Sequence, residues 1–407
     1  MKRYRKTMLV LLLAGVFGML VAACGADDPT ATPVPTPTSP GAPTATPTPE
    51  KTAFEIEWDA LVAAAQEEGE LVTFLCCDLG RGIGPYISAF EQEFGIKWIN
   101  STGSSRQNWD KVQTERAAGK FELDVWTGGL RTSNSRLLPG GALAELKPLL
   151  FHPDVIDESL WFGGAHFWAD FEFAPGATEN LNRVFAYGGS ANLAEITYNT
   201  DLLDPNDIQS YADLLDPKWK GKIIARDPRL AGSSQSTALY YLLMGEDFLR
   251  SLLTEQDIVI VDDALQAANQ LALGKYAMCL FACTSEVRAA AEQGLPVKSE
   301  FPHSLLEGSR ISTGGNTFMA IDRAPHPNAQ KLFANWLLGK RGQTIWQEIT
   351  GDHSLRTDIG TEGVEPENIR QEGKTYLMFE RDPDFQVKLQ ASVDFAIEVL
   401  GGGGTGN

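Results

Sequence analysis

Residues 58–76 read WDALVAAAQEEGELVTFLC, and the change of period inside this stretch decides the fold. Trp58, Leu61, Val62 and Ala65 recur at helical spacing on one face, and Gly69 stops the pattern. Residues 71–76 are then an apolar run of strand length. A turn with Gly80, Gly82 and Gly84 follows, and Pro85 suits the first turn of a helix that runs to about Phe94. Residues 96–100 read as a strand, 101–105 as a polar turn, 107–118 as a helix, and 123–126 as a strand ending in Thr127-Gly128-Gly129. The order β-α-β-α-β predicts an α/β fold, with a parallel sheet wrapped by helices.

The pattern resumes after a less regular middle rich in Trp, Phe, Gly and Pro (149–189). Strands are expected at 195–199, 221–225, 258–261 and 276–281. Helices are expected at 233–244, 264–273 and 285–293, and Pro325 and Pro327 introduce an amphipathic helix at 328–338. No internal repeat is visible.

The chain opens differently. Lys2, Arg3, Arg5 and Lys6 precede an apolar segment, 8–23, with small residues just before Cys24. This is the layout of a secretory signal, and it is shorter than the ~20 apolar residues of a comfortable membrane span. Val21-Ala22-Ala23-Cys24 resembles a bacterial lipobox, so residues 1–23 are expected to be cleaved and Cys24 to carry lipid. Two acyl chains anchor stably where one does not. Residues 24–50 hold the lipidated Cys and a tether in which the stretch 29–49 alternates Pro with Thr, Ala and Ser, which favours an extended form of ~3.1 Å per residue. The 357 residues from Lys51 onward suggest two domains at ~150 residues each. Losing the four positive charges of the leader takes the formal charge from −19 to −23. That argues against nucleic acid, and against membrane contact other than through the lipid.

Open α/β sheets bind ligands beyond the carboxyl ends of their strands, and that rule selects the candidate residues. In the first block they are Cys76, Cys77, Asp78 and Gly82, then Ser104, Ser105 and Arg106, then Thr127 and Gly128. In the second block Arg226 and Arg229 precede Ser233 and Ser234 at a helix start. Helix N-termini favour anions, and arginine binds carboxylate or phosphate with two parallel bonds. Arg226 and Arg229 are therefore expected to clamp an anion, and their loss to weaken it without unfolding the chain. The glycine spacing is neither a dinucleotide fingerprint nor a Walker pattern. Four cysteines follow Cys24: Cys76, Cys77, Cys279 and Cys283. A tetrathiolate metal site is one arrangement, but adjacent Cys76 and Cys77 lack the usual metal spacing; buried thiols or a local disulfide fit better. The five histidines stand in no catalytic motif, and no metal or cofactor is expected.

Several segments resemble the extracellular solute-binding proteins of ABC importers, in the branch that includes ferric-iron-binding proteins. Besides 58–75, they are ERAAGK (115–120), DVW (124–126), YADLLDPKWKGKI (211–223) with DPR (227–229), APHPNA (324–329) and LRTD (355–358). The resemblance implies two lobes joined by crossing strands, with a hinge and ligand in the cleft between them. The implied boundaries are 51–190 for the first part of lobe 1, 191–305 for lobe 2, and 306–407 for the return to lobe 1 and the C-terminal helices. Tyr198 would then lie near the hinge. Iron-binding members use a His in the first loop and an adjacent Tyr pair in the second lobe. This chain has Cys76-Cys77-Asp78 in the first place and Phe281-Ala282-Cys283-Thr284-Ser285 in the second. Tyr240-Tyr241 falls inside a predicted helix, where core packing is expected.

The expected function is therefore non-enzymatic. A monomeric, membrane-anchored, extracytoplasmic lipoprotein captures a small anionic or polar solute and delivers it to an ABC permease and its ATPase. Thr284 and Ser285 join the candidate ligand residues. The rival readings are a ferric-iron binder with non-standard ligands, a Cys-dependent enzyme on the same scaffold, and a sensory module that presents its solute to a receptor.

Overall fold

In the computed structural model the chain divides into Met1–Glu50 and Lys51–Asn407. The structure describes residues 50–75, 79–170, 181–189, 195–230, 232–379, 382 and 384–402. Cys24, most of the tether, Cys76, Cys77 and Asp78 lie outside the described residues.

Lys51–Asn407 begins as the 58–76 stretch predicts. The first helix, α1 (Ala53–Glu68), starts earlier than its apolar face suggests because Thr52 and Glu55 form a capping box. Gly69 ends it with φ 76°, a conformation glycine adopts without strain. The elements β1 (Glu70–Leu75), α2 (Leu79–Phe94), β2 (Lys97–Asn100), α3 (Ser105–Ala117) and β3 (Val125–Thr127) follow. Short α4 (Leu130–Thr132) and α5 (Pro153–Ile156) come next, then β4 (Phe185–Ala186) and β5 (Gly188–Gly189).

The second block holds β6 (Ile196–Asn199), β7 (Ile223–Arg226), α6 (Ser234–Glu255), β8 (Val259–Val261), α7 (Ala264–Ala272), β9 (Met278–Leu280), α8 (Thr284–Glu292) and β10 (Val297–Lys298). The chain then forms β11 (Gly308–Arg310), β12 (Thr317–Ala320), α9 (Pro327–Leu338), α10 (Lys340–Thr350), β13 (His353–Ser354), β14 (Thr375–Leu377) and α11 (Phe385–Leu400).

Two five-stranded sheets result, ordered β2-β1-β3-β12-β4 and β10-β6-β9-β7-β8. The β-α-β-α-β run forms the parallel strands it predicts, and antiparallel strands from later in the chain make both sheets mixed. β1, β2 and β3 are parallel, but β12 pairs antiparallel with β3. In the second sheet β7, β8 and β9 are parallel and β6 runs antiparallel to β9. The antiparallel strands are those by which the chain enters the second lobe or returns to the first.

Each sheet has its own core. In the first, Phe90, Trp98, Phe333 and Trp336 pack edge to face, with Trp98 and Phe333 centroids 4.7 Å apart. In the second, Tyr211, Tyr240 and Phe281 interlock. The chain passes between these cores three times. Tyr187 belongs to the first and Ile196 to the second; Leu305 to the second and Ile311 to the first; Tyr376 to the first and Phe395 to the second. The first two crossings lie between residues 187 and 196 and between residues 305 and 311. The third, carrying α11 onto the second lobe, has no signal in the sequence pattern.

The crossings touch. A Cβ on Gly189 would lie 2.3 Å from the Ser312 carbonyl oxygen, so these two segments pass backbone against backbone. Glu195, at φ 54°, accepts from Arg310 Nε (3.0 Å) and Nη2 (2.8 Å). Ser236 Oγ donates to the same carboxylate at 2.9 Å. This buried cluster ties the first crossing, the second crossing and the start of α6 together. No helix among the described residues is long and apolar enough to cross a membrane.

Candidate ligand site

The carboxyl end of β7 carries the best-defined candidates, and its two arginines behave oppositely. Asp227, 1% exposed, accepts from Arg229 N (2.9 Å), Nε (2.9 Å) and Nη2 (2.6 Å). Burial works against the Asp227 charge, but these bonds outweigh it and hold the carboxyl below its usual range. Arg229 Nη1 also donates to the Gly401 carbonyl at 2.6 Å. Arg229 is thus committed to structure. Arg226 is not. Its Nε is buried without a partner, and it makes no ion pair or hydrogen bond among the described residues. Its guanidinium lies against Gly232, where a Cβ would stand 2.5 Å from Nη1. The proposed clamp therefore divides into one arginine held by protein and one left for something else.

Neighbouring loops converge on the same sheet edge. Ser233, fully buried at the start of α6, approaches the Phe281 carbonyl with its hydroxyl at 3.5 Å. Ser234 is buried beside it. Phe281 and Ala282 both have positive φ, 59° and 68°, at the carboxyl end of β9. A Cys279–Cys283 disulfide closes this loop. The pairing realises the local-disulfide alternative, and it removes two of the four thiols that a tetrathiolate site requires. Thr284 and Ser285 open α8, whose N-terminus has no side-chain cap. Such an end presents unsatisfied backbone N–H groups.

The first lobe presents a parallel arrangement. Ser104 caps α3 reciprocally with Gln107, which accounts for that hydroxyl. Ser105 is half-buried, and Arg106 is exposed, 3.9 Å from Asp110. Thr127 is buried with an unpartnered Oγ1, and the Gly128 carbonyl accepts from Thr317 Oγ1. Gly129 starts α4 without a side-chain cap. Gly82 serves packing: a Cβ there would meet Ile349 Cγ2 at 2.8 Å.

Tyr198 stands apart from the other candidates. It pairs with Met278, while Ile196 pairs with Leu280, so Tyr198 lies toward the end of β9 away from Phe281. There it packs on Phe301 and lines a separate cavity of about 430 Å³ with residues 200–205. The residue that reaches the hinge is Glu195. Tyr240 is fully buried with its hydroxyl donating to the Glu195 carbonyl at 3.2 Å, so it is core; Tyr241 is half-buried against the same core, and its hydroxyl donates to Glu246 at 2.7 Å. Among the described residues no three His, Cys, Asp or Glu side chains come together to hold a metal. Sequence reasoning missed Glu195, Arg310 and Arg136, none of which sits in a motif. Arg136 follows α4 and lines a cavity of about 490 Å³ with Arg106, Thr132 and Ser135.

Residues 85–367 match the family described as bacterial extracellular solute-binding protein. An uncharacterized protein of Haemophilus influenzae is 25% identical over 305 residues, covering 71% of this chain and 79% of that one. Among solved structures, Mannheimia haemolytica ferric iron-binding protein A, in an open conformation, aligns with TM-score 0.53 and 14% identity. That alignment covers 82% of this chain and 98% of the other. A Bordetella ferric binding protein gives 0.52 and 15%, over 81% and 98%. A Trichodesmium protein solved with iron and citrate gives 0.51 and 15%, over 81% and 99%. At such identities the likeness establishes the two-lobe fold and carries no ligand across.

Proposed function

The chain belongs to the family of bacterial extracellular solute-binding proteins, and from that premise we propose that it captures a small anionic organic solute between its lobes and delivers it to an ABC permease. One observation carries the choice of an anion. Arg226, at the carboxyl end of β7, keeps a buried guanidinium nitrogen without a partner among the described residues, in a strongly acidic chain. A buried unpaired donor is unfavourable unless a ligand completes it. The uncapped start of α8 supplies further donors for the same negative group. Lipid on Cys24 and the Pro/Thr tether would hold this capture module near its permease while letting it reorient.

A thermal-shift screen of the full-length protein in detergent, over metals, organic acids, sugar phosphates and polyamines, tests the reading. An anion at about 100 times its dissociation constant should stabilise the fold by ~2.7 kcal/mol. Arg226→Ala should lose at least about tenfold in affinity for that anion, the equivalent of ~1.4 kcal/mol. Cys24→Ser should leave the protein outside the membrane fraction. Stabilisation by ferric iron alone, or unchanged anion affinity in Arg226→Ala, would overturn the proposal.

A further inference from the structure

Arg226 has a counterpart in the other lobe. Nearly every described arginine is spoken for: Arg116 and Arg323 pair with Asp322, Arg310 with Glu195, Arg341 with Glu93 and Arg356 with Asp358. The others pair with a carboxylate or, like Arg183 and Arg370, donate to backbone carbonyls. Among the arginines whose side chains the structure describes, a set that excludes Arg81 and Arg131, only Arg136 and Arg226 make no side-chain hydrogen bond, ion pair or ring contact with described residues. With 53 acidic residues against 34 basic ones, a guanidinium left without an acid is unusual here.

Both free arginines follow the carboxyl ends of parallel strands, one in each sheet. Arg226 ends β7. Arg136 lies in the π-helical turn that continues α4, which itself begins two residues after β3 ends. Helical side chains lean toward the N-terminus, so a residue one to two turns in still serves the start of its helix. Arg136 shares its cavity of about 490 Å³ with Arg106, from the first turn of α3 at the carboxyl end of β2. Among the described residues no carboxylate lines that cavity, and Arg106 is held only by an exposed contact with Asp110 at 3.9 Å, which water screens heavily. Thr132 adds a hydroxyl to the wall.

We propose that Arg136, supported by Arg106, is the ligand contact of the first lobe, and that the solute is a polyanion with one negative group for each lobe. The proposal rests on the reading of Arg226 as an anion site. Each arginine alone binds half a ligand weakly. A solute with two anionic groups engages both and favours the arrangement in which the lobes close on it. A single carboxylate satisfies one lobe and leaves the other guanidinium open. Selectivity for charge number then comes from the distance between two lobes rather than from one pocket.

Titration calorimetry of the full-length protein with succinate, citrate and glucose 1,6-bisphosphate, against acetate and lactate, tests this. The wild type should prefer at least one of the first three over both monoanions by about tenfold or more. Arg136→Gln should remove most of that preference, and Arg136→Lys should retain part of it. Arg226→Gln should weaken every anion that binds. Loss of binding in Arg226→Gln with unchanged preference in Arg136→Gln would overturn this proposal and leave the Arg226 reading standing. Sensitivity to Arg136→Gln with indifference to Arg226→Gln would overturn the Arg226 reading instead. Monoanions binding as tightly as the three larger probes, or none of the five binding at millimolar concentration, would also sink the polyanion assignment.

Discussion

At the residue scale, Arg226 and Arg229 differ in whether the fold supplies them with a partner. Both follow the same strand, and nothing in their sequence context distinguishes them. The difference is Asp227, whose buried carboxylate takes Arg229 and leaves Arg226. Removing Arg229 should therefore act on stability. Arg229→Ala leaves a buried, unpaired carboxylate, which should cost about 3 kcal/mol at neutral pH. The pH dependence has a definite sign. The folded-state Asp227 carboxyl lies below its usual range, so the pair contributes stability above the unfolded carboxylate value of ~3.9. That contribution is lost as pH falls through the lower folded value. Denaturant melts of wild type and Arg229→Ala should thus differ most at neutral pH and converge in acid; a difference independent of pH would contradict the ion-pair account.

At the element scale, the loop between β9 and α8 concentrates the unusual backbone. Two successive non-glycine residues with positive φ sit between the halves of a disulfide. Such conformations each cost of order 1 kcal/mol or more and persist only where the surroundings impose them. The disulfide supplies part of that constraint. Cys279→Ser with Cys283→Ser should lower the unfolding free energy by ~2 kcal/mol for so short a loop, read in denaturant melts. An unchanged stability would show that packing of Phe281 alone fixes the loop.

The elements themselves were largely legible. The 58–76 period change, the later strand-helix alternation and the glycine stops placed α1 to α3, β1 to β3 and β6 to β9 within a few residues. What escaped was long-range. β12 and β4 are short and pair only with each other and with a strand distant in sequence. α10 carries few apolar residues, yet it buries Trp346 beneath Gly188, where a Cβ would fall 2.0 Å from the ring. The candidate site was legible as a set of loops, through the rule of strand ends. It was not legible as roles, because whether a given arginine is free depends on which acid the fold brings to it. Arg136 has no motif and became visible only by its lack of a partner.

At the scale of the whole molecule, three crossings join two independently packed cores. Glu195 and Arg310 lock the first two crossings to the start of α6, and β11 pairs with β14 where the second and third run side by side. On the proposed reading, hinge motion of one lobe against the other would pass through these few segments. The free arginines sit at the strand ends of opposite lobes. A solute that needs both must draw them together, and closure and recognition become one event. On the proposed reading the acidic surface elsewhere does not oppose this, since the site's sign would be set locally by two guanidiniums that have no partner among the described residues.

Small-angle X-ray scattering of the Cys24→Ser chain, with and without the anion that stabilises it most in the thermal screen, tests this claim most directly. The radius of gyration should fall at saturation in the parent chain and stay unchanged once Arg226→Gln is added. A radius of gyration that is the same with and without saturating anion would contradict capture by closure of the two lobes.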